Sequence, residues 1–316
     1  AAVRKRLVAD VPMGAFLSGG IDSSVVVAEM AEASSNRVRS FAAGFPDDAS
    51  FDETPAARLV AERFDLEHRE LHVRLSPLDL LEKLLWHHDE PYGDSSAVAL
   101  YGISQLTREH VTVVLSGDGG DELFGGYTRF LGGLLSSRVP NPLLRLGGEV
   151  LDRLPEPKGY KNPLALARRF TEYAARDPDE QLLAWNAYFA GPALARLLRP
   201  EAVENAFDPW AMMAPQSQLL KAAASQGVDR LDQILRHNFA TYLLDDLLVK
   251  ADRMTMAWGL EARSPFLDRD LIELCFRLPS SMKIRRGSMK WLLKQAYEGV
   301  LPREILHRKK HGFGVP

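Results

Sequence analysis

The run Met13-Gly14-Ala15-Phe16-Leu17-Ser18-Gly19-Gly20-Ile21-Asp22-Ser23-Ser24 decides the fold. Met13 to Leu17 reads as a buried strand, and Ser24 to Ala33, carrying Val25, Val26, Ala28 and Met30, reads as the helix that follows. Adjacent glycines in the loop between them let a ligand approach backbone N–H groups closely. The helix start offers unpaired N–H donors and the positive end of its dipole. Ser18, Ser23 and Ser24 add hydroxyls, while Asp22 adds a carboxylate that repels phosphate unless a cation intervenes. Oxygen ligands together with phosphate favour Mg²⁺. A simple turn with a serine cap needs one Ser, not three with two glycines and an acid.

Outward from this loop, short apolar runs alternate with helical patterns, the signature of a parallel sheet covered by helices. Val38 to Phe45 is predicted as a second strand, ended by Gly44 and Pro46-Asp47-Asp48, and Glu67 to Val73 as a third. Pro55 to Phe64, Pro77 to His88 and Ala97 to Arg108 read as helices, and Val111 to Leu115 is a β-branched, almost wholly apolar strand. After about residue 130, strand signals vanish. Leu, Ala and Arg dominate there, with breaks at Val139-Pro140-Asn141-Pro142, Leu154-Pro155-Glu156-Pro157 and Gly191-Pro192. The predicted fold class is α/β, a parallel sheet with helices on both faces. Residues 1–130 form its core, and residues 131–316 a mostly helical lobe completing the active site.

Composition narrows the function. The chain has 316 residues, 46% hydrophobic and 26% charged, as in an ordinary globular protein. Lys+Arg 39 against Asp+Glu 42 gives a net charge of −3, so no global positive field draws it to nucleic acid or anionic lipid. Cys275 is the only cysteine, which excludes an internal disulfide framework and a cysteine-built zinc site and fits a reducing compartment. No apolar run approaches the ~18 residues of a membrane span. A cytoplasmic location is the expectation.

No Walker A loop and no Gly-x-Gly-x-x-Gly fingerprint occurs. Instead Ser18 to Ser23 resembles the S-G-G-x-D-S pyrophosphate loop of the ATP pyrophosphatase superfamily. A second glycine-rich, acid-bearing loop, Ser116-Gly117-Asp118-Gly119-Gly120-Asp121-Glu122-Leu123-Phe124-Gly125-Gly126-Tyr127, follows the Val111–Leu115 strand directly. Asp22 and Asp121 are placed to share Mg²⁺ on a leaving pyrophosphate.

This second loop resembles the S-G-[DE]-G-x-D-E-x-F-G-G-Y block of the synthetase domain of glutamine-hydrolysing asparagine synthetases. Asp245 to Met254 and Gly259 to Asp268 resemble two further blocks of that family. The resemblance implies an ATP-dependent ligase with ATP and Mg²⁺ as cofactors. Aspartate becomes β-aspartyl-AMP, and ammonia then gives asparagine. Carried over by position, Asp22 and Asp121 are the metal-binding acids, and Ser18, Gly19, Gly20 and Ser23 belong to the pyrophosphate cradle; Ser24, Ser116 and Gly117 are read as further cofactor-binding residues. Leu17 and Ala43 match the adenosine-contacting region. Asp118 stands where some relatives have Glu, a position linked to the reacting carboxylate and the incoming amine. Lys290, in the Lys283–Lys294 basic stretch, matches the lysine that reaches the phosphates. It is read as sharing one helix face with Lys294, with Trp291, Leu292 and Tyr297 facing inward.

The same resemblance leaves room for an amidotransferase or cyclase acting on a sugar acid, peptide or β-lactam precursor. Its expected partner is a glutaminase domain, absent here and supplied in cis or by a separate chain, and it allows a homodimer. The start at Ala1 without Met reads as excision from something longer. Arg308 to Gly314 resembles a basic loop lining the site, or else a solvated tail. His87-His88 reads as a helix end, since neighbouring helical side chains point ~100° apart. Gly93-Asp94-Ser95-Ser96 is either a cap or a wall of the carboxylate pocket. Cys275, Met254 and Met256 read as packing, and Glu261, Arg263 and Asp268 as an ion-pair framework beneath the site.

Overall fold

The structure, a computed structural model, describes residues 1–45, 52–73, 77–155, 162–176 and 227–308, with scattered positions from 181 to 225. The breaks expected at Pro46-Asp47-Asp48, Glu156-Pro157 and Gly191-Pro192, and the basic run Lys309 to Gly314, lie outside the described residues.

Among the described residues, five parallel strands form one sheet: β1 Met13–Phe16, β2 Arg39–Gly44, β3 Glu67–His72, β4 Val113–Leu115 and β5 Glu261–Arg263, in the order β3-β2-β1-β4-β5. The apolar strands are central, as burial on both faces demands. The charged Glu67-His68-Arg69-Glu70 run forms one edge, where exposed charge discourages further pairing.

Helices cover both faces, as side-chain alternation along β2 and β3 shows. Ala43 packs with Ala99 and Ile103 of α5, Ser96–Arg108. Glu70 is directly paired across the sheet with Ala42, one residue from Ala43, and so points to the opposite face. There it meets Arg58 of α3, Thr54–Arg63, at 2.7 Å. Between them in sequence is α4, Pro77–His88; α1 and α2 are Ala2–Arg6 and Ile21–Ala33. Helix α2 buries Val25, Val26, Val27, Ala28 and Met30, too many sides for a surface helix. These elements realise the predicted α/β class.

The chain builds outward from β1 through β2 to β3, then returns to lay β4 on the other side of β1. The C-terminal ends of β1 and β4 therefore flank the point where the winding reverses, the usual ligand crevice of an open α/β sheet. Both quoted loops start there.

By compactness, residues 1–125 with 243–316 form one unit and residues 126–242 another. In the second unit, Thr128–Ser136 and Arg230–Asn238 pack closely enough that a Cβ on Gly133 would lie 2.6 Å from Ile234. Arg129 is stacked between the rings of Tyr127 and Tyr242, 4.0 and 4.4 Å from their centroids. A π-helical stretch runs over Phe239–Leu247. Among the described residues, no helix is long and apolar enough to cross a membrane.

Several expectations need correction. Strand β5 lies beyond residue 130, where none was expected; three residues with charged ends give no periodicity to read. The Lys283–Lys294 stretch is not one helix. A turn closed by the Arg285–Ser288 bridge separates Ser280–Lys283 from Trp291–Ala296. Leu293, rather than Leu292, is buried there. Met256 is exposed, unlike the buried Met254. Asp268 pairs with Lys5 and so leaves Arg263 to Glu261.

Candidate active site

The loop after β1 is held by its own serines. Ser23 Oγ lies 3.1 Å from Ser18 Oγ and donates to the Gly20 carbonyl, and the Gly20 N–H donates to Ser18 Oγ. Ser24 is fully buried, its hydroxyl donating to the Gly20 carbonyl at 2.7 Å. Its hydroxyl thus fastens the first turn of α2. Leu17 and Ala43 are both buried at the ends of neighbouring strands, with the Leu17 N–H bonded to the Phe41 carbonyl.

The loop after β4 packs directly onto the first. A Cβ on Gly117 would stand 2.9 Å from both Asp22 Cβ and the Ser23 backbone nitrogen, so only glycine allows this approach. Ser116 Oγ donates to Asp118 Oδ2 at 2.8 Å and lies 3.0 Å from Ser264 Oγ. Asp121 follows in the first turn of α6, Gly120–Phe124.

Lys290 joins the two loops. Its buried ammonium lies 2.7 Å from Asp121 Oδ1 and also binds the Asp22 carboxylate. Burial alone would lower the lysine pKa, but Asp121 and Asp22 outweigh it and raise it, so the ammonium stays charged. Its backbone, at φ 54°, is left-handed just before the Trp291–Ala296 helix. Lys290 therefore does not share a helical face with Lys294, although its charge, after burial, helps lower the Lys294 pKa. Two carboxylates converging on one cation suit a divalent ion, since the ammonium is a stand-in of the same sign. Among the described residues, no group of three or more His, Cys, Asp or Glu forms a ready-made metal cage.

Beside this centre lies a second ion pair. Lys250 is buried, binds the Asp94 carboxylate and donates to Ser96 Oγ at 2.7 Å. Burial would raise the Asp94 pKa, but Lys250 and the Ser96 contacts lower it overall. Asp94 also accepts the Ser96 N–H at 2.9 Å, so it caps α5 and holds Lys250 at once. Burial raises the Asp118 pKa against the pull of Ser116 and Lys250. Next to this pair, Tyr92 stacks on His88 at 4.1 Å and donates to the Asp246 backbone carbonyl at 2.9 Å. Cys275 is buried, its thiol pushed up to about 11 by desolvation, which suits packing and not a nucleophile.

The asparagine synthase family model matches residues 1–316. The chain belongs to the asparagine synthase family. It is 32% identical, over its whole length, to glutamine-hydrolysing asparagine synthetase 1 of Bacillus subtilis, of which it covers 48%. A relative from Mycobacterium bovis is 36% identical over the whole chain, which covers 46% of it. An amidase of Penicillium rubens is 26% identical over the whole chain, with 51% of that protein covered. The chain thus spans about half the length of the curated relatives it matches.

Within this family framework, the structure adds residues the sequence reading passed over. Lys250 lay inside a quoted block without a role, and nothing in the sequence links it to Asp94. Glu53 was given no role, and nothing in the sequence links it to Arg308, the first residue of the basic run, which it meets at 3.5 Å.

Proposed function

We propose that this chain carries out ATP-dependent amide formation: aspartate and ATP give β-aspartyl-AMP and pyrophosphate, and ammonia then gives asparagine and AMP. The observation that carries this reading is the meeting of Asp22 and Asp121 on Lys290 at the winding reversal of the sheet. In this reading the triphosphate lies over Ser18, Gly19, Gly20 and Ser23, with Ser116 and Gly117 closing the far wall and Leu17 and Ala43 against adenosine. Asp22 and Asp121 would hold Mg²⁺, which when bound neutralises charge on the departing diphosphate.

The aspartate carboxylate attacks the α-phosphorus, and the bond to the bridging oxygen breaks, releasing pyrophosphate. Lys290 moves its point charge from the two acids toward the phosphates, whose geometry changes during the step. Ammonia then attacks the acyl carbon and AMP leaves. Asp118, its pKa raised by burial, accepts a proton from the attacking nitrogen more readily than an ordinary aspartate would. A glutaminase domain, in cis or as a separate chain, would supply the ammonia.

A second reading, amide formation on another carboxylate, has the Penicillium rubens amidase in its favour. The test is to incubate the protein with ATP, Mg²⁺, ammonia and aspartate and identify products by mass. Asparagine with equimolar AMP and pyrophosphate supports the first reading. Nucleotide turnover with other acids only supports the second, and no pyrophosphate release with any acid overturns both.

A further inference from the structure

We infer that Arg308 is a further pyrophosphate-binding residue of this site, held ready at the phosphate loop by Glu53. The inference rests on the reading of that loop proposed above.

Arg308 follows the helix Arg303–His307, and its Nη1 donates to the Ser18 carbonyl at 3.4 Å and reaches Glu53 Oε1 at 3.5 Å. Both contacts run through one nitrogen. A guanidinium has five N–H donors in a planar fork, and among the described residues the rest of this fork meets no acceptor. The side chain keeps 27% of its surface open. A cation is therefore fixed to the first residue of the loop with its matching face unspent.

Glu53 has no other duty in its own helix. Asp52 makes the capping contacts, accepting the Thr54 N–H at 3.0 Å and its hydroxyl at 2.8 Å. The Glu53 side chain caps nothing, yet it is buried. Burial pushes its pKa up to about 7, with Arg308 pulling the other way. Burying a carboxylate is costly unless it is paired, and Glu53 is paired with Arg308. The glutamate fixes the guanidinium as a counter-ion, leaving it free to turn its other donors to a ligand.

The loop itself rests on the same helix start. Gly19, at φ 67°, lies so close to the Ala56–Ala57 backbone that a Cβ would come within 2.5 Å of Ala56. Loop, helix start and Arg308 thus form one packed cluster. Its ligand chemistry differs from that of Lys290: a fork grips two phosphate oxygens at once, where an ammonium supplies a compact charge.

Equilibrium titration of the full chain with Mg²⁺ and inorganic pyrophosphate, and separately with AMP, tests the assignment. Arg308→Ala should weaken pyrophosphate by roughly 10- to 100-fold, the worth of charge-assisted hydrogen bonds, while leaving AMP within about twofold. Arg308→Lys should recover part of that loss, and Glu53→Gln should weaken pyrophosphate less than Arg308→Ala does. Unchanged pyrophosphate affinity in Arg308→Ala overturns the assignment. So does an equal loss of pyrophosphate and AMP, which would mean that Arg308 only shapes the loop. If the unaltered protein binds neither ligand, the proposed function fails with it; pyrophosphate binding that is indifferent to Arg308 sinks this inference alone.

Discussion

Lys290 Nζ stands 2.7 Å from Asp121 Oδ1 while the same ammonium holds Asp22, so one cation bridges acids delivered by two different strand ends. Removing it takes the shared cation away from two half-buried carboxylates. Lys290→Ala should therefore slow pyrophosphate release by on the order of 10²–10³, the cost of losing one transition-state donor. It should also let the acids bind Mn²⁺ more tightly without nucleotide, measured by electron paramagnetic resonance. Normal release in this variant would take Lys290 out of the chemistry.

Asp121→Asn keeps the shape of the side chain and removes its charge. With only Asp22 left as an anion, the pair can no longer hold a divalent ion by two charges. Mg²⁺-dependent pyrophosphate release should fall to background while the circular dichroism spectrum stays that of the parent. Turnover at the parent rate would place Asp121 outside the site.

Gly117 tests the contact between the loops without altering charge. An alanine there needs room that Asp22 Cβ and the Ser23 backbone occupy at 2.9 Å, so one loop must shift. Placement errors near 1 Å can cost about 100-fold in rate, and Gly117→Ala should lose at least ~10-fold in adenylation. Gly148→Ala is the control. It lies within the Asn141–Asp152 helix, where an added Cβ would stand 3.6 Å from Thr171 at the nearest, and should gain up to ~1 kcal/mol of stability without affecting rate.

The two loops and the strands that carry them were legible in the sequence. Two strands ending in Gly-rich acidic loops were legible because β-branched runs and adjacent glycines mark strand and turn by local chemistry alone. That Asp22 and Asp121 had to meet followed from their places at such ends. The hidden parts are those with no local signal. Strand β5 consists of Glu261, Ala262 and Arg263, and gains its identity only by pairing with Val113 to Leu115. Lys290 looked helical because its neighbours are spaced for a helix, yet its φ of 54° breaks that spacing. Lys250 with Asp94, and Arg308 with Glu53, are joined across more than a hundred residues by packing, which no window of sequence contains.

His237 makes residues 126–242 sensitive to acid. His237 is buried, and among the described residues neither ring nitrogen has a partner. Burial, aided by the charges of Arg230 and Arg129, lowers its pKa from 6.5 to about 4. Between pH 6.5 and 4 the unfolded chain takes up a proton that the folded chain refuses. Stability therefore falls as pH drops through this window and is unaffected by this group above it. The full shift corresponds to about 3 kcal/mol. Hydrogen exchange of the Arg230–Asn238 helix should speed up markedly from pH 7 to pH 4.5, after correction for intrinsic rates. In His237→Phe, which ionises at no pH, much of that acceleration should vanish; an equal response in both proteins would assign the acid sensitivity to another group.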